Sequence, residues 1–194
     1  SMFSGCSNLQ SIDLSGHNLK NVTNSYGMFK DCETLTSINF TDCDFSKVTD
    51  SKNMFYQCKA LQTVDLSGAK LSSKNCYYMF MNCGNLNSVN LSGCNFNGVT
   101  ICYAMFENCS ALKEIDLSGC SFTCADNASL TYMFNNCTSL ETVDFSNCDL
   151  SNSTNHIYLF TNCNALKTIK AVGCNDKTIE ILRNALTVAG ISED

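Results

Sequence analysis

One motif returns along the whole of these 194 residues, and its period limits the fold more than any other property of the chain. Met-Phe stands three residues before a Cys at Met2-Phe3-Cys6, Met28-Phe29-Cys32, Met54-Phe55-Cys58, Met79-Phe80-Cys83, Met105-Phe106-Cys109 and Met133-Phe134-Cys137. A weaker seventh copy reads Leu159-Phe160-Cys163. Successive starts lie 26, 26, 25, 26, 28 and 26 residues apart. A chain with such a period builds identical layers, none of which can cover its own apolar side.

Three residues after each Cys a Leu opens a second template. The first copy is Leu9-x-x-Ile12-x-Leu14-x-x-His17-x-Leu19 and the second Leu35-x-x-Ile38-x-Phe40-x-x-Cys43-x-Phe45. Four further copies begin at Leu61, Leu86, Leu112 and Leu140. This is the L-x-x-L-x-L-x-x-N/C-x-L signature of leucine-rich repeats. In Ser11-Ile12-Asp13-Leu14-Ser15 apolar and polar residues alternate, which predicts a short strand with one buried and one wet face. Met-Phe-x-x-Cys has apolar residues at i, i+1 and i+4, which predicts a helical turn on the core, capped upstream by residues such as Asn24 and Ser25. The expected fold is an α/β solenoid: a leucine-rich repeat of about seven 25–28-residue rungs, each a strand, a turn, an extended segment and a short helix.

Residues 1–174 form the solenoid and residues 175–194 a C-terminal capping helix of the same domain. After Ile169 the seventh repeat degenerates, with Lys170 and Ala171 where Asp/Asn and Leu/Phe are expected. The cap carries Ile179, Leu182, Leu186 and Ala189 on one face, Asp176 near its start and Gly190 to stop it. At the other end nothing in the sequence covers Met2, Phe3, Ile12 and Leu14. Upstream chain or another molecule is expected there, including self-association through this uncapped rung.

Fifteen cysteines invite a metal or disulfide reading, and their positions argue against both. Seven fill the Met-Phe-x-x-Cys slot, and Cys43, Cys94, Cys120, Cys148 and Cys174 fill the N/C slot. Both slots point inward, where a thiol packs as a small hydrophobe and donates weakly to a carbonyl. No Cys-x-x-Cys pair occurs, so no metal site and no cofactor are expected. Cys76, Cys102 and Cys124 fall outside these columns; Cys76 and Cys102, one rung apart, are the pair whose spacing suits a disulfide.

Two surfaces are candidates for binding. The strand face carries the column Asp13, Asn39, Asp65, Asn90, Asp116 and Asp144, flanked by Ser and Thr, an acidic shelf for a polar or cationic ligand or a plain solvated strand face. Tyr26, Tyr77 and Tyr103, each two residues before a Met or its equivalent, form either an exposed aromatic ridge or packing for the next rung. With 18 acidic against 12 basic residues, the net charge of −6 disfavours nucleic acid and anionic membrane. No apolar run reaches the roughly 20 residues of a spanning helix, so no membrane insertion is expected. His17 and His156 sit far apart in rung order, and no phosphate loop or nucleophile elbow occurs, so an enzyme is not expected.

The run Met-Phe-x-x-Cys-x-x-Leu-x-x-Ile-Asp-Leu-Ser-Gly, followed by Val22-Thr23-Asn24 or Val48-Thr49-Asp50, resembles the BspA-like class of leucine-rich repeats across residues 2–174. The resemblance implies a cell-surface or secreted protein, chiefly of host-associated anaerobic bacteria and some parasitic protists, tied to adhesion and protein binding. It brings no catalytic residues. The expected function is a non-enzymatic binding module, a segment of a surface adhesin with a protein or glycan ligand; the alternative is a structural spacer.

Overall fold

The computed structural model describes residues 1–92, 94, 96, 99–120, 122 and 130–192. One strand forms in every repeat: β1 (Ser11–Asp13), β2 (Ser37–Asn39), β3 (Thr63–Asp65), β4 (Ser88–Asn90), β5 (Glu114–Asp116), β6 (Thr142–Asp144) and β7 (Thr168–Lys170). All pairs are parallel and in register, so that Ile12, Ile38, Val64 and Val89 face one another in one run and Ile115, Val143 and Ile169 in the next. The strands fall into two sheets, β1–β4 and β5–β7. Across the seam the far side of the rungs stays continuous, with the Phe80 amide donating to the Met105 carbonyl at 2.8 Å and Asn82 to Glu107 at 2.9 Å. The chain is a leucine-rich-repeat solenoid with a helical cap.

The Met-Phe-x-x-Cys segments are tandem turns, not the helical turns expected. Met28 N–H donates to the Ser25 carbonyl at 3.0 Å and Cys32 N–H to Phe29 at 3.1 Å. Gly27 (φ 54°) and Asp31 (φ 60°) are the left-handed third residues of these turns, the mark of type II geometry. The same left-handed pair returns as Asn53 and Gln57, Tyr78 and Asn82, Ala104 and Asn108, Tyr132 and Asn136, and Tyr158 and Asn162. The reason is where the other amides go. Phe29 donates to Met54 at 2.8 Å and Asp31 to Tyr56 at 2.8 Å, one rung along, which a helix could not allow. Asn tolerates the left-handed region better than most residues. Its side chain is then used again: Asn108 Nδ2 donates to Asn82 Oδ1 at 2.7 Å, Asn136 to Asn108 at 2.8 Å and Asn162 to Asn136 at 2.6 Å.

The core is a column of rings. Phe3, Phe29, Phe55, Phe80, Phe106, Phe134 and Phe160 stack with successive centroids 5.1, 5.7, 5.1, 5.2, 5.5 and 5.9 Å apart and planes within 10° of parallel. Each neighbouring Cys thiol donates to the Phe carbonyl one rung below: Cys32 to Phe3, Cys58 to Phe29 and Cys83 to Phe55 at 3.0 Å, Cys109 to Phe80 and Cys137 to Phe106 at 3.1 Å, and Cys163 to Phe134 at 3.0 Å. The N/C slot repeats the device, with Cys43 reaching Leu14 O and Cys148 reaching Leu117 O, both at 2.9 Å. A cysteine suits both slots because it fills an apolar hole while giving a buried carbonyl a donor.

Cys76 and Cys102, the pair whose spacing suits a disulfide, are not bridged. Both side chains are fully buried in the core. Equivalent side chains on parallel rungs extend in the same direction rather than toward each other, and Cys76 engages Ser73 instead. Cys124 lies outside the described residues.

The cap is α1 (Asp176–Ala189). Asn175 Oδ1 accepts from Thr178 N–H at 2.8 Å as the N-cap. Gly190 (φ 71°) closes the helix, with Gly190 N–H donating to Thr187 and Ile191 N–H to Leu186. The face turned to the last rung is Thr178, Ile181, Leu182 and Ala185. Of the expected apolar face only Leu182 belongs to it; Ile179, Leu186 and Ala189 stay half-buried. No helix among the described residues is long and apolar enough to cross a membrane.

Gly68 shows how tightly the turn after the strand is packed. Its φ is 68°, and a Cβ there would stand 2.7 Å from Asp42 Oδ1 one rung below, whereas a Cβ at Gly16 (φ 66°) meets nothing within 4 Å. Gly68→Ala is expected to cost about 1–3 kcal/mol and Gly16→Ala distinctly less. Urea unfolding of the two variants checks this, and equal losses would contradict it.

Candidate functional site

All six shelf residues stand in in-register columns on the strand face. Each also has a local task. Asp13 Oδ1 accepts from Ser15 N–H at 2.9 Å, Asn39 from Thr41 at 2.9 Å and Asp65 from Ser67 at 2.8 Å. Asn90 accepts from Ser92 at 3.1 Å, Asp116 from Ser118 at 2.8 Å and Asp144 from Ser146 at 2.8 Å. These are Asx turns that end each strand, which is why only Asp and Asn fill the column in these rungs. The Ser15 amide, then its hydroxyl, hold the Asp13 carboxyl below the usual range. Burial alone would raise Asp144, but the Ser146 bonds and Lys170, at 3.5 Å, bring it below that range.

The shelf is irregular in one place. At the seam between β4 and β5 a cleft of about 320 Å³ opens, lined by Asn90, Ser92, Asp116 and Ser118 with Leu91 and Cys120 behind them. Among the described residues, no strand pairing joins β4 to β5.

Along the rungs, several tyrosine rings meet one another. Tyr77 and Tyr103 stack at 5.3 Å and 20°, Tyr103 meets Tyr132 edge-on at 5.5 Å, and Tyr132 stacks on Tyr158 at 5.0 Å and 13°. Tyr26 joins them through Lys52, which occupies the equivalent position one rung on. Its ammonium lies 6.0 Å from the Tyr26 ring and 5.0 Å from the Tyr77 ring, a cation–π bridge across the gap. The three expected residues sit not at helix starts but in Asx turns at Asn24 and Asn75 and in the turn that follows Cys102. Tyr26 and Tyr158 are 41% and 44% exposed, the middle rings half-buried. Burial, then contact with Tyr132, pushes the Tyr103 phenol up, so this hydroxyl is neutral at physiological pH.

His17 Nδ1 lies 3.1 Å from the Leu14 and Ser15 carbonyls and holds its turn. Among the described residues no three His, Cys, Asp or Glu side chains gather as a metal cage.

The family described as "BspA type Leucine rich repeat region" matches residues 1–113 in six copies. The chain belongs to the BspA-type leucine-rich repeat family. A second family, described as "Mycoplasma protein of unknown function, DUF285", matches residues 74–175 and overlaps the BspA-type match. Among solved structures, a TLR13–ssRNA13 complex is similar at a TM-score of 0.54 and 19% identity, covering 87% of this chain and 22% of the other. At that identity the likeness shows the fold alone. A leucine rich cell surface protein from Faecalibacterium prausnitzii is 20% identical, with a TM-score of 0.41, over 92% of this chain and 64% of its own. This BspA-type chain thus spans less than two thirds of either protein. No curated protein matches it.

Proposed function

We propose that this chain is a non-enzymatic binding module, a segment of a cell-surface adhesin or host-interaction protein that contacts a protein or glycan through its tyrosine ridge. The observation that carries the reading is the ridge itself, an aromatic surface bridged by Lys52 and exposed at both ends. Tyr is among the residues that dominate binding energy at protein interfaces. The shelf residues supply turn bonds in each rung, so their regularity has a structural cause. The resemblance to BspA-like proteins supports a surface location, and the net charge of −6 supports a partner other than nucleic acid. A second reading, a small polar or cationic ligand at Asn90 and Asp116, is favoured by the seam cleft, whose volume lies at the low end for ligand pockets.

A glycan and host-protein array tests the assignment with two double variants. Tyr77→Ser/Tyr103→Ser is expected to weaken binding at least about tenfold, a loss of about 1.4 kcal/mol, while Asp65→Lys/Asp116→Lys leaves it near wild type. The reverse pattern transfers the site to the shelf. An array with no ligand at all favours the spacer.

A further inference from the structure

Among the described residues, the strand side of the last rung ends in an open edge beside an apolar groove. In five of the rungs below, the residue after the strand donates its N–H to the next rung: Leu14 to Asn39, Phe40 to Asp65, Leu66 to Asn90, Leu117 to Asp144 and Phe145 to Lys170, at 2.7–3.0 Å. The next member of that column is Ala171. A second column donates two residues further on, through Gly119 to Ser146 at 2.7 Å and Asn147 to Val172 at 2.8 Å, and continues to Gly173. The carbonyls of Lys113 and Glu141 accept from the rung above, and the next of these is Lys167. Beside this edge lies a groove of about 450 Å³ between Leu166, Ile169 and Ala171 of the rung and Ile179, Leu182 and Leu186 of α1. No Cα of α1 lies within 8 Å of a Cα of β7, which leaves room for a strand at the usual 4.8 Å.

We propose that this groove binds an extended segment of another protein as an added parallel strand on β7, reading an aliphatic–acidic–large apolar pattern. Three features set that pattern. Ile169 continues the buried strand centre, so an aliphatic residue belongs opposite it, as Val143 lies opposite Ile169. Ala171 replaces the Leu or Phe of every earlier rung, and the volume it leaves suits a large apolar side chain. Lys170 stands where the other rungs carry Asp or Asn, and its ammonium already reaches Asp144 one rung below at 3.5 Å. The same register places an acidic residue of an added strand one rung above it. Arg183 at the groove adds to the positive charge in a chain that is otherwise acidic.

A second copy of this chain does not fit. The helix lies across the core of the last rung, with Ile181, Leu182 and Ala185 buried and Thr178 Oγ1 accepting from Leu150 N–H at 2.9 Å. A whole stacked rung would collide with it, whereas one strand would not. Backbone bonds along an open sheet edge then give affinity, and the alternate side chains give selectivity. This site is separate from the tyrosine ridge and does not depend on it.

The probe is a labelled peptide copying residues 61–70 of this chain, which contain Thr63-Val64-Asp65-Leu66, titrated into the full chain by fluorescence anisotropy. Saturable binding is expected, at least about tenfold weaker for the peptide carrying Asp65→Lys. Lys170→Glu in the protein should weaken the parent peptide similarly and restore the Lys peptide. Ala171→Phe should weaken both peptides by closing the hole, with circular dichroism melts showing that both variants fold. No saturable binding of the parent peptide, or no rescue in the charge swap, overturns the proposal. So does light scattering that finds a dimer abolished by Lys170→Glu, because a second copy would then occupy the edge.

Discussion

Replacing Phe106 by alanine is expected to remove about 3–5 kcal/mol of unfolding free energy, among the largest losses any single core change in this chain can produce. The ring is fully buried and lies between Phe80 at 5.2 Å and Phe134 at 5.5 Å. The cavity left behind cannot close. Phe106 N–H is tied to Met133 above, its carbonyl accepts the Cys137 thiol, and Cys109 is tied to Phe80 below. These bonds hold both flanking rungs at their spacing, so the loss includes the cavity as well as the transferred surface. The same change at Phe3, half-buried and with a stacked neighbour on one side only, should cost far less. Urea midpoints at unchanged slope would measure both. Equal losses at the two positions would mean that stability does not come from contacts between neighbouring rungs.

Alkali should unfold the protein for a reason built into its cysteines. Burial, the leading cause, pushes the thiols of Cys58, Cys76 and Cys163 up to about 12 and those of Cys83, Cys109 and Cys137 well above the ordinary value. The folded state therefore keeps protons that the unfolded chain releases near pH 8.5. Stability from this source is fully present below about pH 8.5 and is lost as pH rises toward the folded values. Each fully buried thiol takes away up to about 1.4 kcal/mol per pH unit in that window. Four of them together exceed the roughly 5 kcal/mol at the lower end of domain stabilities within one unit. Thiolate absorbance and loss of circular dichroism should rise together in a steep step. Thiolates appearing near pH 8.5 in a chain that keeps its native spectrum would show that these cysteines are not core. At neutral pH the same burial should hold alkylation of Cys109 to the rate of global unfolding.

The strands were legible because their chemistry is doubly marked, by alternation and by the Asp or Asn two residues before a Ser or Thr. Positions such as Ile38 and Val64 follow from period two alone. The Met-Phe-x-x-Cys segment was misread because apolar residues at i, i+1 and i+4 serve a helical turn and two tandem type II turns equally well. Gly27, Asn53, Asn82, Asn108, Asn136 and Asn162, all tolerant of positive φ, were the signal in favour of turns. Tyr78, Tyr132 and Tyr158 adopt the same backbone without any such mark; Tyr78 N–H donates to the Tyr103 carbonyl one rung on, and all three rings pack on other tyrosines. Lys52 as the missing rung of the tyrosine ridge could be read by aligning it with Tyr26 and Tyr77. The groove beside β7 was half visible in Lys170 and Ala171, where the repeat degenerates. Its depth depends on how far α1 stands from the strand, and the apolar spacing of the helix does not encode that. The seam between β4 and β5 has no sequence mark we can identify.

Layers about 26 residues apart stack on one another from the first rung to the last. Through-space magnetization transfer in an isotopically labelled sample tests this directly. Methyl cross-peaks should link Ile12 to Ile38, Ile38 to Val64, and Val143 to both Ile115 and Ile169, with the Phe29 amide close to Met54 and no i to i+4 helical pattern from Ser25 to Leu35. Absence of the rung-to-rung peaks, or a helical pattern in that segment, would contradict the stacked-turn solenoid.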